Sequence, residues 1–275
     1  MPVKQAVRTL TYLLLTWILA SLLLACALIP NLDTGSGSTP TGTTSSDSLL
    51  NRWSQVAPGA EIRNEHWKSA DSSEDTVTIS RFDPHQLQIS VGYQPSHPLS
   101  LVDWQKQTGA IALFNGGYFD KNNKATALTI SDGQSYGTSY PDFGGLFAVD
   151  TQGNVILRSL KQQPYDPSTE QLQQATESSP ILVIDGKRVD LQANSSRNRR
   201  TVVALDTDGR LLFIISPGRS FTLDEMADVV SSSDLHIQIA LNLDGGASTG
   251  MYIKTNNQNL GVDSVSNLPI VIYMK

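Results

Sequence analysis

One cysteine, Cys26, is the only thiol in the 275-residue chain. No disulfide can form within it, so a folded domain must be held by a packed core. The position of that cysteine adds a second constraint. Lys4 and Arg8 open the chain, Thr9 to Ala25 carries no charge, and the run from Leu13 to Leu24 is strongly apolar. This is the order of a secretory signal, with a small residue before the cut. Leu23-Leu24-Ala25-Cys26 matches a bacterial lipobox, in which the cysteine sulfur takes a diacylglycerol (an acyl anchor of the palmitate kind) and becomes the new N-terminus. Residues 1–25 are therefore expected to be a lipoprotein signal peptide and Cys26 the lipid attachment site. The alternative is an uncleaved anchor, for which the apolar stretch is slightly short of the roughly 20 residues a span needs.

Residues 26–48 follow as lipidated cysteine and linker. Asn31 to Ser48 holds Gly, Ser, Thr and Pro with almost nothing apolar. Such a segment cannot bury a core and suits a flexible tether. Residues 49–275 are expected to form a single domain, membrane-anchored and facing outside the cytoplasm in a bacterial cell envelope. The formal net charge is −6, and the one basic cluster is Arg197, Arg199 and Arg200. Without a basic face, nucleic acid is not an expected partner.

The domain alternates short strands with few helices. Gln86–Tyr93 alternates apolar and polar residues as a half-buried strand does. Ala110–Phe114, Ala125–Ser131, Leu146–Asp150, Val155–Leu160, Ile181–Ile184, Thr201–Leu205, Arg210–Ser216, Ile237–Leu243 and Ile270–Met274 read as further strands. Turn signals at Thr151–Asn154 and Asp206–Gly209 join neighbouring pairs. Three helix starts stand out, at Ser100-Leu101-Val102-Asp103, Ser168-Thr169-Glu170-Gln171 and Thr222-Leu223-Asp224-Glu225. In each a hydroxyl can cap while a side chain three residues on reaches back, which makes Glu225 a capping residue rather than a catalytic one. The expected fold class is α+β: a mixed, largely antiparallel sheet system with a few helices packed on it.

Three segments join a strand to a polar turn. Phe114-Asn115-Gly116-Gly117-Tyr118-Phe119-Asp120 runs from an apolar strand into paired glycines, whose amides can approach a ligand. A tight turn with aromatics packed in the core is the plainer reading. Leu241-Asn242-Leu243-Asp244-Gly245-Gly246-Ala247-Ser248 delivers an acid at a strand end, suited to metal binding, water activation or an oxyanion contact. An Asp-Gly turn is its plainer reading. Asn194 to Thr201 is a basic approach to a strand, where Arg200 is held more firmly than the surface-like Arg199. HExxH, P-loop, GxSxG and Cys/His zinc spacings are absent, and the four histidines are scattered.

Taken together and in order, these segments resemble the phosphodiester glycosidase domain family, which has lysosomal and bacterial exported members. The resemblance rests on Asn115–Phe119, Gly144-Gly145-Leu146-Phe147, Arg200-Thr201 with Asp206–Gly209, Phe221–Val230, Leu243–Ser248 and Asn267-Leu268-Pro269-Ile270. It implies a hydrolase that cleaves a sugar-1-phosphodiester, with Asp244, Arg200 and Asn115 as catalytic candidates. Arg200 and Arg197 would hold phosphate oxygens, and Gly116, Gly117, Gly245 and Gly246 would offer amides to the same charge. Asn115 and Ser248 would fix substrate hydroxyls, and Asp244 would activate water or stabilise a cationic sugar. The one cofactor candidate is a divalent cation such as calcium, near Asp244. Ala247 and Ala204 stand where the family pattern has glycine, and a methyl at Ala247 is expected to narrow the site or forbid a positive φ. A non-catalytic glycan-binding lipoprotein and a P–O-cleaving phosphodiesterase are the alternative readings.

Overall fold

The computed structural model describes residues 49–191, 196–255 and 259–275. The expected signal peptide, Cys26 and the linker lie outside the described residues, as do Asn194 and Ser195. In chain order the elements are β1 (Ser54–Ala57), β2 (Ala60–Lys68), β3 (Glu74–Phe82), β4 (Ile89–Tyr93), α1 (Leu101–Thr108), β5 (Ala112–Asn115), β6 (Thr129–Ser131) and β7 (Gln134–Tyr136). Then come β8 (Gly145–Asp150), β9 (Val155–Ser159), β10 (Leu172–Ser178), β11 (Ile181–Ile184), β12 (Lys187–Arg188), β13 (Asn198–Asp206) and β14 (Leu211–Phe221). The last are α2 (Leu223–Ser231), β15 (Ile237–Asn242), β16 (Met251–Lys254), β17 (Asn259–Val262) and β18 (Ile270–Met274).

These strands form three sheets with orders β1-β2-β3-β14-β13-β15-β11-β12, β7-β6-β10-β8-β9 and β17-β16-β5-β18-β4. Every pairing between named strands is antiparallel, as expected. The architecture is more β-rich than the sequence reading held, with two α-helices among the described residues rather than three.

The eight-stranded sheet is covered on both faces, and the alternation of its strands divides the residues between them. Val203, Phe213, Ile215 and Leu241 point into the main core, shared with Phe114, Phe147 and Ile272 of the other two sheets. Phe114 and Phe213 stack at 4.0 Å between centroids, with Phe82 edge-on to both. Val202, Ala204, Leu212 and Ile214 face the other way, onto Met226, Ala227 and Val230 of α2. Ala204 is thus a core residue on the helix-covered face, away from any site.

Both helix starts that hold do so through their caps. Ser100 Oγ accepts from the Asp103 amide, and α1 stops at Gly109 in the left-handed region. Thr222 and Glu225 make a full capping box on α2. The third expected helix is instead a turn leading into β10. Asp166, not Ser168, organises it: the Asp166 carboxylate accepts from the Ser168 amide, and the amides of Thr169 and Glu170 donate to Asp166 O. The Ser-Thr-Glu start lacked an amphipathic continuation, and Leu172–Ser178 pairs with β8 and β6 on either side.

Candidate active site

The site forms where strands from all three sheets end together. Asn115 closes β5, Asn242 closes β15, Ser178 closes β10, and Arg200 and Thr201 stand near the start of β13. Thr201 sits one residue before the Val202–Asn242 pair, and the Leu243 amide extends that ladder to Thr201 O at 2.8 Å.

Asn115 knots these ends. Its side chain is buried and fully engaged. Nδ2 donates to Asp244 O at 2.7 Å and Gly116 O at 3.4 Å, while Oδ1 accepts from Thr201 Oγ1 at 2.7 Å and the Gly250 amide at 3.1 Å. An amide side chain has two donor hydrogens and two acceptor positions, and all are used inside the fold. Asn115 therefore positions the Asp244 loop and has no group left for a substrate hydroxyl, contrary to the expected role.

The glycines likewise serve packing. Gly116 donates its amide to Ile270 O, and Gly246 to Arg199 O. Gly117 donates to Thr176 Oγ1, and Gly245 to the carboxylate of Asp244. A Cβ on Gly116 would fall 2.5 Å from the Ile270 side chain, and one on Gly117 2.5 Å from Glu177 O and Thr176 Oγ1. The expected amide cradle is thus spent on holding the turns together. In the Asp244 loop the left-handed residue is Gly246, at φ 61°. Ala247 lies outside that region and is exposed, so its methyl forbids no backbone conformation.

Asp244 and Arg200 remain. The Asp244 amide donates to Gly116 O at 3.1 Å, fixing the residue against the first turn. Burial pushes its carboxyl above the ordinary range, against the pull of the Ser248 hydroxyl and the Gly245 amide. Ser248 is buried beside it and contributes that hydroxyl. Arg200 is 7% exposed. Its guanidinium is braced by Phe221 O at 3.2 Å and Ser196 O at 2.7 Å, and one terminal nitrogen lies 4.0 Å from where a Cβ on Gly245 would stand. It forms no ion pair among the described residues. Burial lowers its proton affinity, partly offset by Tyr118.

Tyr118, not singled out from the sequence, belongs to the same place. Its hydroxyl donates to Ser179 O at 2.7 Å and accepts from Asn242 Nδ2 at 3.0 Å. Burial and the Asp244 charge push its pKa up to about 12, against the pull of Arg200. The phenol is therefore neutral and lies within electrostatic reach of both. Phe143 meets the Tyr118 ring edge-on, and Tyr140 meets Phe143 in the same way. The signal in the sequence was the aromatic pair after Gly117, which read equally well as core.

Arg197 is drawn elsewhere. It pairs with Glu225 at 2.8 Å, donates to Ser220 O at 2.5 Å and to Ser73 Oγ, and so completes the cap of α2 rather than a phosphate site. Glu225 also accepts from Ser69 Oγ, which leaves its capping assignment intact. Among the described residues no group of three or more His, Cys, Asp or Glu side chains is placed to share a metal. Asp244 brings one carboxylate, and the side chain that reaches the next residue of its turn is the Arg200 guanidinium. That donor set suits an anion better than calcium, which takes six to eight oxygens.

A sequence profile of the phosphodiester glycosidase family matches residues 108–272. No curated protein sequence matches the chain. Among solved structures, the catalytic domain of zebrafish N-acetylglucosamine-1-phosphodiester alpha-N-acetylglucosaminidase, auto-inhibited by its pro-peptide, superposes with a TM-score of 0.61 at 19% identity, over 80% of this chain and 85% of that one. A hypothetical protein from Synechocystis gives 0.56 at 15% identity, over 81% and 63% of the two chains. An exported protein from Burkholderia pseudomallei gives 0.53 at 13% identity, over 74% of each. At these identities the structures show a shared fold. The profile spans more than half of the chain, from the end of α1 to β18, and takes in every strand end that builds the site. The chain belongs to the phosphodiester glycosidase family of hydrolases.

Proposed function

We propose that this hydrolase cleaves the bond between a sugar C1 and the phosphate of a phosphodiester, from a lipid anchor at Cys26 on the outer side of a bacterial membrane. The observation that carries the reading is Arg200: a buried guanidinium without an ion pair among the described residues, reaching the Gly245 turn next to Asp244, with Tyr118 in electrostatic reach of both. Burying a cation is costly unless an anion compensates it. A phosphodiester supplies that anion when bound. Arg200 then neutralises the scissile phosphate, and its planar fork can meet two oxygens at once.

Asp244 takes the proton of the attacking water, whose oxygen bonds to C1 as the C1–O bond breaks. The electron pair leaves with the phosphate, released as a monoester. This leaving group is weakly basic, so the acid help that an alkoxide needs in ordinary glycoside hydrolysis is small here. One well-placed carboxylate therefore suffices. The neutral phenol of Tyr118 and the Ser248 hydroxyl border Asp244 without adding charge. No step passes through a divalent ion.

Hydrolysis in oxygen-18 water tests the bond that breaks. The label is expected in the released sugar. Label in the phosphomonoester would instead establish P–O cleavage, and saturable binding of a panel of sugar-1-phosphodiesters without product would establish a glycan-binding protein. The anchor has its own test. Cells fed labelled palmitate should label the wild-type chain in the membrane fraction, and Cys26→Ala should lose that label. A Cys26→Ala chain that is still acylated would refute the lipid site.

A further inference from the structure

Most described arginines are matched to carboxylates. Arg63, Arg81, Arg158, Arg188, Arg197 and Arg210 all form ion pairs. Besides Arg52, exposed at the start of the domain, three do not: Arg199, Arg200 and Arg219. The chain carries a net charge of −6, yet these three go without a carboxylate partner among the described residues, and all three border the Gly245–Gly246 turn. Arg200 lies under Gly245. Arg199 and Arg219 line a cavity of about 340 Å³ with Asn198, Gly246, Ala247 and Val265.

That cavity is built rather than incidental. Arg199 donates to Asp263 O at 2.7 Å, and the Asp263 carboxylate forms no ion pair with it. The Val265 and Ser266 amides donate to Ala247 O at 2.8 and 3.1 Å, which ties the far wall to the Asp244 loop. Arg219 is exposed, and among the described residues its side chain makes one hydrogen bond, a long one of 3.4 Å to Asn198 Oδ1. Each guanidinium has five N–H donors, so both keep most of theirs for a ligand. Ala247 and Val265, the latter 78% exposed, add apolar surface to the lining.

We propose that this cavity is a second anion subsite, which takes a phosphate or carboxylate group of the substrate lying beyond the scissile phosphate. This rests on the reading that Arg200 holds the scissile group. The two sites share the Gly245–Gly246 turn as a common wall, so a substrate with two oxyanions in succession spans both. A neutral group beyond the phosphate gains nothing from Arg199 and Arg219. The subsite makes the enzyme selective for an anionic chain over a single, isolated sugar phosphodiester.

The test compares three sugar-1-phosphodiesters whose far end carries a phosphate, a carboxylate or a neutral hydroxyl. Wild type should favour the two charged substrates in kcat/KM, and the preference should shrink as salt rises. In Arg199→Gln/Arg219→Gln the ratio of charged to neutral should fall about tenfold, from the loss of two charge-assisted contacts. The single variant Arg219→Gln, at an exposed position, should show part of that fall and guards against misfolding of the double variant. A preference for one charged substrate alone would identify the oxyanion. Equal ratios in wild type and both variants would overturn the proposal. In a second arm, inorganic pyrophosphate is titrated calorimetrically. Weaker binding in the variants supports the subsite, and unchanged binding overturns it. If no substrate is cleaved, the hydrolytic reading fails, and the pyrophosphate arm alone decides the subsite.

Discussion

Asp244→Asn lowers kcat/KM on a sugar-1-phosphodiester by about a thousandfold and leaves the protein folded; a positioned general base contributes on the order of 10²–10⁴. The two halves of this expectation come from the same burial. Asp244 has a folded-state pKa raised above its ordinary value of 3.8. A raised carboxyl favours folding below its unfolded pKa, and that contribution is lost as pH rises through the folded value. At neutral pH the ionised Asp244 therefore works against folding. Asparagine removes that charge and still accepts from the Gly245 amide and the Ser248 hydroxyl. The variant should melt at or above the wild-type temperature while losing turnover. The same shift places the acid limb of the wild-type kcat/KM profile above the ordinary aspartate range. A variant as fast as wild type, or an acid limb below pH 3.8, would remove Asp244 from the chemistry.

Asn115→Ala is expected to do the converse, costing stability first. It strands the Thr201 hydroxyl, the Gly250 amide and the Asp244 carbonyl, while Gly116 O keeps the Asp244 amide. A buried polar group without a partner costs about 1–3 kcal/mol, and partial relaxation reduces the sum. The loss should be about 4 kcal/mol, which for a domain of this size lowers Tm by roughly 8–16 °C. Turnover should fall as well, even well below the new Tm, because the Asp244 loop loses its tie to β5. An unchanged Tm would show that other contacts hold the three strand ends together. A lowered Tm with wild-type kcat would show that the loop keeps its shape without Asn115.

Much of this arrangement could be read from residues alone, where local chemistry decides. Ser100 and the Thr222–Glu225 box mark their helices because a cap is satisfied within three residues. Ile181–Ile184 and Ile270–Met274 have the expected bounds because both are continuous apolar runs in sheet interiors. The β2–β3 hairpin was not legible. Ala60–Lys68 carries Arg63, Asn64 and Glu65 inward or half-inward; Glu65 is satisfied within the strand by Arg63 and Trp67, but Asn64 takes Thr78 of the neighbouring strand and Arg63 takes Asp234, far along the chain. Nor was β10, whose buried Gln174 and Glu177 are satisfied by groups far along the chain, including the Val91 amide and Ser139.

The site divides in the same way. Asp244 and Arg200 were found because each is a charged residue at the mouth of an apolar strand. What their neighbours do was not, because it depends on who stands opposite. Arg197 and Arg200 look alike in sequence, yet Arg197 meets Glu225 and Arg200 meets no carboxylate. Tyr118 enters only when strands from separate sheets are brought together, and Arg219 only when β14 lies beside β13 and the Gly246 loop closes on both.

The paired glycines of the two turns carry a consequence for how relatives are recognised. Gly116 and Gly117 admit neighbouring chain where a Cβ would collide, and their amides are bound internally. A descendant that exchanged Asp244 for an inert residue would still need those glycines to fold. The most recognisable letters of such a chain therefore certify its scaffold and are silent on turnover. An inventory of catalysts compiled from the glycine signature would count retired enzymes with working ones; one that also asked for the lone carboxylate and the unpaired guanidinium would separate them.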